Sequence, residues 1–125
     1  MELVNTEKAP SAVEPYSQAV ISQNFIFISG QLPIDPETNE LIENDIVQQT
    51  NQVLKNITSI LESQGLNIKD IIKNTIFIKN MNQFPTINEE YAKYFNTHKS
   101  ARSAVEVSYL PKNVLIEIET IASIT

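Results

Sequence analysis

The spacing of apolar residues along the chain predicts two helices and five strands. Between Asp45 and Gln64, apolar positions recur at the helical period. Asp45 can cap the start of this helix, and Gly65 can take the left-handed conformation that follows its end. A second helix is predicted from Phe84 to His98. Short β-rich segments bounded by turn residues predict strands at Tyr16–Ile21, Phe25–Ser29, Ile71–Lys79, Ser103–Val107 and Val114–Ile121.

The order β-β-α-β-α-β-β over residues 1–125 predicts a single domain of the α+β class. Two helices can cover only one face of one sheet, so the other face needs its own explanation. The residues Leu110–Asn113 have turn chemistry, which predicts that the last two strands form a hairpin.

Alternation along these last two strands sorts their side chains onto two faces. In the final strand, Ile116 and Ile118 share the face that can pack on helices, whereas Glu117 and Glu119 share the other. If the hairpin aligns its apolar faces, the uncovered face also carries three residues of the preceding strand: Arg102, Ala104 and Glu106.

Two interpretations of the uncovered face are open. It is either a solvated surface whose charges favour solubility, or a contact with a second subunit in which the charges collect in a cleft. In a cleft, Arg102 can bind a small carboxylate through two parallel hydrogen bonds. A nearby glutamate that the arginine does not neutralise can orient or deprotonate water.

Composition excludes several classes of site. A net charge of −6 and a pI of about 4.7 argue against a nucleic-acid-binding protein. The chain has no cysteine and one histidine, His98, so it offers neither a thiolate zinc site nor a pair of histidine metal ligands. Its two glycines, Gly30 and Gly65, cannot form a P-loop or a dinucleotide-binding fingerprint.

The N-terminal segment 1–10 lacks the features of a signal or transit peptide. No apolar run is long enough to span a bilayer, which predicts no membrane partner. The cytoplasm is therefore the expected compartment.

Two short stretches near the N-terminus add candidate binding residues. EPYSQAV places Tyr16 at the start of the first strand, where it is either a ligand contact or a core or interface aromatic. FISGQLP ends the second strand at Ser29 and Gly30. Glycine there permits close approach of a ligand to the backbone or an unusual φ, and the alternative is a plain strand end.

Six stretches follow one another along nearly the whole chain: PYSQAV, SGQLP, QTNQVLKNI, FIKNMNQF, INEEYAKYF and ARSAVEV…LPKNVLIEIE. Together, in this order and spacing, they resemble the RidA/YjgF family of reactive-intermediate deaminases, which is also described as L-PSP endoribonuclease or translation inhibitor. The resemblance implies a chorismate-mutase-like α+β fold, assembled as a homotrimer whose sheets form a central barrel with clefts between subunits.

The resemblance also implies an activity, the hydrolysis of 2-aminoacrylate-type enamines and imines to 2-keto acids and ammonia, without a cofactor or a metal. By this resemblance Arg102 clamps the substrate carboxylate and Glu117 positions the attacking water. Tyr16, Ser29 and Gly30 would line the cleft. Secondary wall positions would be Asn88 and Pro111.

The chain departs from the family pattern at two places near the expected cleft. Glu14 stands where the family commonly has glycine, and Ala104 replaces a frequent cysteine or threonine, so the range of substrates is open. Two other functions also remain open. One is RNA cleavage or inhibition of translation, against which the net charge weighs. The other is a non-catalytic role as a small-carboxylate sensor or a chaperone-like scaffold.

Overall fold

The computed structural model describes residues 1–13 and 15–124 of the chain. Glu14, the first departure from the family pattern, therefore lies outside the described residues. The two helices are α1 (Ile46–Glu62) and α2 (Phe84–Phe95). The strands are β1 (Glu2–Val4), β2 (Ala19–Ser22), β3 (Phe25–Gln31), β4 (Ile34–Asp35), β5 (Glu40–Leu41), β6 (Ile71–Ile78), β7 (Ala101–Glu106) and β8 (Ile116–Ser123).

The caps of α1 explain where this helix begins and ends. The carboxylate of Asp45 accepts a hydrogen bond from the Val47 amide, so one of the free N–H groups of the first turn has a partner. After the helix, Gly65 has a φ of 72° and its amide donates to the Glu62 carbonyl. This left-handed ending confirms the role predicted for Gly65.

Six strands form one sheet in the order β1-β2-β3-β8-β6-β7, and β4 and β5, each two residues long, pair as a separate hairpin. Both helices pack on one face of the six-stranded sheet, because the apolar positions of each strand alternate toward them. Fully buried isoleucines from three strands and both helices meet there: Ile26, Ile57, Ile76, Ile87 and Ile118. The predicted α+β class is confirmed, and β1, β4 and β5 are additions to the predicted order. None of the helices in the described residues is long and apolar enough to cross a membrane.

The predicted hairpin of the last two strands is wrong. β6 lies between β7 and β8, parallel to the first and antiparallel to the second. The residues that join β7 to β8 cross the end of β6, where the Val107 amide donates to the Ile78 carbonyl and the Lys79 amide donates to the Leu115 carbonyl. The turn chemistry at 110–113 therefore belongs to a crossover and not to a two-strand hairpin.

This strand order also corrects the predicted sharing of one face. Three residues of β7 pair with helix-facing residues of β6: Arg102 with Asn74, Ala104 with Ile76 and Glu106 with Ile78. Paired residues point to the same side of a sheet, so Arg102, Ala104 and Glu106 lie on the side that the helices cover. Glu117 and Glu119 pair with Phe77 and Thr75 and lie on the uncovered face, as predicted.

Candidate active site

Arg102 projects from β7 at the edge of the sheet and rests on one face of α2. Its guanidinium carbon lies 4.9 Å from the ring centroid of Tyr91 and 5.3 Å from that of Phe84. Its Nη1 donates a 2.8 Å hydrogen bond to Oδ1 of Asn88. Phe84, Asn88 and Tyr91 follow one another at helical spacing, and we call these three residues the arginine cradle. Only some of the five N–H donors are used in this way, so the rest remain available to a carboxylate.

An open groove with a volume of about 500 Å³ extends from the arginine cradle along α2. Tyr91 and Phe95 give it an aromatic side. The residues with titratable charge along it are cationic or neutral: His98, Lys99 and Arg102. In a chain whose net charge is −6, this local excess of positive charge favours an anionic ligand.

The second group of candidate residues surrounds an irregularity in β3. Between the pairs Ile28–Thr120 and Gln31–Ile118, β3 has two residues, Ser29 and Gly30, where β8 has only Glu119. Such a β-bulge bends the strand locally and redirects its side chains. The Ser29 hydroxyl donates a 2.6 Å hydrogen bond to the Ser17 carbonyl, which ties the bulge to the segment before β2.

The carboxyl group of Glu117 lies directly over Gly30. A Cβ atom at position 30 would overlap this carboxyl group, so the position requires glycine as long as Glu117 keeps its place. Glu117 is half-buried, and this burial raises the pKa of its carboxyl, with a smaller contribution from the negative charge of Glu119. The glycine therefore serves a close approach, but the approaching group is a side chain of the same chain and not the ligand considered from the sequence.

Tyr16 lies beside the same bulge with an exposed ring. It lines one depression with Ser29 and Glu119, and another with Gly30. We call Tyr16, Ser29, Gly30 and Glu117 the glutamate half-site.

The structure thus brings the predicted residues together in two sets that do not meet within one protomer. Arg102 and Asn88 lie on the helix side at the edge of the sheet, whereas the glutamate half-site lies around the bulge, and Glu117 faces the opposite side. Pro111 opens the exposed turn 111–113 in the crossover between β7 and β8. Both sets can act on one ligand only if a second copy of the chain supplies one of them.

Two members of the arginine cradle, Phe84 and Tyr91, were not predicted as site residues. Their spacing with Asn88 on the predicted second helix is the signal that points to them. It becomes meaningful only once β7 is known to run beside that helix.

Comparison with known proteins identifies the family. A family model described as Endoribonuclease L-PSP matches residues 6–124. The chain belongs to the RidA/YjgF family.

RidA/YjgF relatives with different names align over nearly their full length. A RutC family protein of Pyrococcus horikoshii is 56% identical over 121 residues, which are 97% of this chain and 96% of that protein. The 2-iminobutanoate/2-iminopropanoate deaminase of Escherichia coli is 46% identical over 122 residues, which are 95% of this chain and 94% of that protein. The crystal structure of Escherichia coli TdcF with bound serine superposes with a TM-score of 0.94 at 41% identity and covers 100% of both chains. Names within the RidA/YjgF family therefore include both imine deaminase and endoribonuclease.

Proposed function

We propose that this protein hydrolyses 2-aminoacrylate and related 2-enamino and 2-imino acids to 2-keto acids and ammonia. The observation that carries the proposal is the half-buried carboxyl of Glu117, seated on Gly30 with a raised pKa. A carboxyl group held in a partly buried position can orient a water molecule and exchange protons with it. The name of the Escherichia coli deaminase points to the same chemistry.

The proposed assembly is a homotrimer in which each cleft takes Arg102 from one protomer and Glu117 from the next. Support comes from the opposite placement of the two groups in one protomer. The uncovered face of the sheet also exposes large apolar side chains, among them Phe25, Phe27 and Val105. Exposed apolar surface of this kind is typical of an interface.

In the proposed reaction, Arg102 binds the substrate carboxylate through its free N–H groups, and the asparagine of the arginine cradle holds the guanidinium in place. An enamine substrate first takes a proton from solvent at its terminal carbon, which moves the double bond to C2 and nitrogen. The product of this step is a protonated 2-imino acid, whose C2 is electrophilic.

Water then adds to C2. The water oxygen forms the new C–O bond, the C=N electron pair moves to nitrogen, and the Glu117 carboxylate accepts the proton that water loses. Glu117 returns this proton to the nitrogen, which makes ammonia the leaving group. As the C–N bond breaks, the hydroxyl oxygen forms the C=O bond of the 2-keto acid and releases its proton to Glu117. Glu117 passes this proton to solvent and returns to the carboxylate form.

The direct test supplies 2-aminoacrylate from a serine dehydratase and follows the release of pyruvate with and without this protein. We expect wild type to accelerate pyruvate release. Arg102→Ala and Arg102→Lys should both lose about 10²-fold or more in kcat/KM, because an ammonium cannot replace the planar fork of donors. Lys55→Ala, which removes an exposed cation from α1, should behave like wild type.

Four results would contradict or replace the proposal. No acceleration by wild type would reject the activity, and an unchanged rate in Arg102→Ala would reject the mechanism. Binding of a small carboxylate without turnover would indicate a sensor or a scaffold. If wild type instead cleaves RNA, and Glu117→Gln abolishes that cleavage, the endoribonuclease name of the family applies to this chain.

The two glycines give a matched pair of predictions. In Gly30→Ala, the new Cβ atom would clash with the carboxyl of Glu117. This carboxyl is the end of a flexible side chain, so we expect Glu117 to move aside and the fold to persist. Because a small misplacement of a reacting group is costly, activity should fall by about 10²-fold while Tm changes little.

Gly65→Ala should show the reverse result. Its φ of 72° strains any residue with a side chain, but no atom obstructs the added methyl group. We expect the free energy of unfolding to fall by about 1 kcal/mol, with kcat/KM unchanged. Thermal melts and the coupled assay on both variants check the pair. A Gly30→Ala variant with wild-type activity would contradict the proposal that activity requires the Glu117 carboxyl to lie over Gly30.

A further inference from the structure

A chain of hydrogen bonds runs through the hydrophobic core beneath the arginine cradle. The hydroxyl of Thr120, on β8, donates a 2.6 Å hydrogen bond to Oδ1 of Asn74, on β6. Nδ2 of Asn74 donates a 2.7 Å hydrogen bond to the hydroxyl of Tyr91, on α2. Asn74 is 0% exposed, Thr120 is 2% exposed and Tyr91 is 9% exposed. We call these three residues the core polar relay.

The core polar relay stands among apolar neighbours, since the next helix-facing residues of β6 are the fully buried Ile76 and Ile78. Burying an amide and two hydroxyls is unfavourable unless each of them is hydrogen-bonded. An apolar residue at position 74 would pack in the core without needing any hydrogen-bond partner. Within the relay, the asparagine uses both ends of its amide. The relay therefore gains its stability only when all three side chains keep a fixed geometry.

The last member of the relay is also the support of Arg102. The ring of Tyr91 lies under the guanidinium, and its hydroxyl is the atom that Asn74 holds. Two other side-chain hydrogen bonds join α2 to α1: Nδ2 of Asn51 donates to Oε1 of Glu90, and the hydroxyls of Tyr94 and Thr58 are hydrogen-bonded to each other. The relay thus ties the cradle side of α2 to the sheet.

We propose that Asn74 and Thr120 are positioning residues for Arg102, which fix the tilt of the Tyr91 ring and through it the direction of the free guanidinium donors. The proposal rests on the proposed function only in that Arg102 binds the substrate carboxylate. Neither residue contacts the substrate. Loss of the relay should therefore weaken carboxylate binding and leave the water-handling step at Glu117 intact.

The test compares two substitutions of the same chemistry on the same helix. Tyr91→Phe keeps the ring under Arg102 and removes the hydroxyl that Asn74 holds. Tyr94→Phe removes a hydroxyl that bonds to α1, through Thr58 and the Leu54 carbonyl. Both should lower Tm to a similar degree. Only Tyr91→Phe should raise KM, by about three- to tenfold, with kcat within about twofold of wild type. The dissociation constant of 2-oxobutanoate, an unreactive carboxylate, should rise by the same factor as KM.

A second variant tests the far end of the core polar relay. Thr120→Val is nearly isosteric and leaves Oδ1 of Asn74 without its donor. Like Tyr91→Phe, Thr120→Val should raise KM. The factor should be smaller, because Thr120 is one hydrogen bond further from Arg102 than Asn74 is. If KM and 2-oxobutanoate affinity change equally in Tyr91→Phe and Tyr94→Phe, the relay is merely structural and the proposal fails.

One readout does not depend on turnover. Arg102 is the only arginine of the chain, so its Nε–Hε signal in a 15N spectrum needs no assignment. We expect a rigid side chain in wild type and in Tyr94→Phe, and faster motion in Tyr91→Phe, measured by the heteronuclear NOE of that signal. If wild type has no deaminase activity but this difference is present, the proposed function fails and the positioning role stands. An identical NOE in all three proteins overturns the positioning role.

Discussion

Mixing two inactive variants, Arg102→Ala and Glu117→Gln, should restore about a quarter of wild-type deaminase activity. Each variant alone lacks one of the two groups in every cleft. In one protomer these groups lie on opposite sides of the sheet, so we expect each cleft to combine Arg102 of one copy with Glu117 of another. When equal amounts are unfolded and refolded together, a cleft is complete if its arginine comes from the Glu117→Gln chain and its glutamate from the Arg102→Ala chain. Random assortment makes about one cleft in four complete.

Two control mixtures make this prediction decisive. Arg102→Ala refolded with Arg102→Lys should stay inactive, since no combination contains a guanidinium. Wild type refolded with the double variant Arg102→Ala/Glu117→Gln should have about a quarter of the wild-type activity if the two groups come from different copies. It should have about half if they come from the same copy. A value of one half, with no activity in the mixture of single variants, would contradict the shared cleft.

The glutamate side of the site follows from the sequence because it depends on one strand. Alternation in β8 buries Ile116 and Ile118 and leaves Glu117 and Glu119 on the uncovered face, as predicted. The period of 2 is a local property of an extended chain, so it survives errors about neighbouring strands. A glycine at a strand end leaves a close approach and a plain strand end both open, and only the position of the Glu117 carboxyl decides between them.

The arginine side could not be derived in the same way, because it depends on strand order. Alternation sorts Arg102 and Ser103 onto different faces of β7 but does not say which face the helices cover. That choice is made by pairing with β6, where Asn74 and Ile76 face the helices. A turn sequence such as Leu110–Asn113 fits a hairpin and a crossover equally well, and only the contacts of β6 with both strands decide between them.

The hydrogen bonds of the core polar relay could not be predicted from the sequence either. Asn74 is polar but shares the period of Ile76 and Ile78, so alternation would have placed it in the core. Composition gives no reason for an asparagine there. Its partners are 17 and 46 residues away in sequence, on another helix and another strand. Such long-range hydrogen bonds leave no local pattern in the chain.

Glu117→Gln should abolish deaminase activity and at the same time raise Tm at neutral pH. Activity should fall by about 10²- to 10⁴-fold, because an amide cannot accept the proton that water loses. The gain in stability follows from the position of Glu117. Its half-buried carboxyl has a raised pKa, first because burial disfavours the charged form and second because Glu119 repels it.

The sign of the stability effect is fixed by linkage. The pKa of Glu117 is higher in the folded chain than in the unfolded one, so folding favours the protonated form. This contribution to the free energy of unfolding is present below the unfolded pKa and is lost as the pH rises through the folded pKa. At pH 7 the wild type therefore folds with a disfavoured charge that Glu117→Gln lacks. The variant should melt at a higher temperature than wild type at pH 7, and the difference should shrink as the pH falls below the ordinary range of a carboxyl pKa.

Glu119→Gln is the matched control, because it removes the second cause of the shift and keeps Glu117. We expect this variant to stay active and the acid limb of its pH–rate profile to move to lower pH, since the pKa of Glu117 falls when the neighbouring charge is removed. Melting curves of wild type and both variants at several pH values, with pH–rate profiles of the active ones, check these expectations. A Glu117→Gln protein that melts below wild type at pH 7 would contradict the prediction. It would indicate that a cation from another protomer pairs with Glu117 before substrate binds, so that the assembled cleft stabilises the charge that a single protomer disfavours.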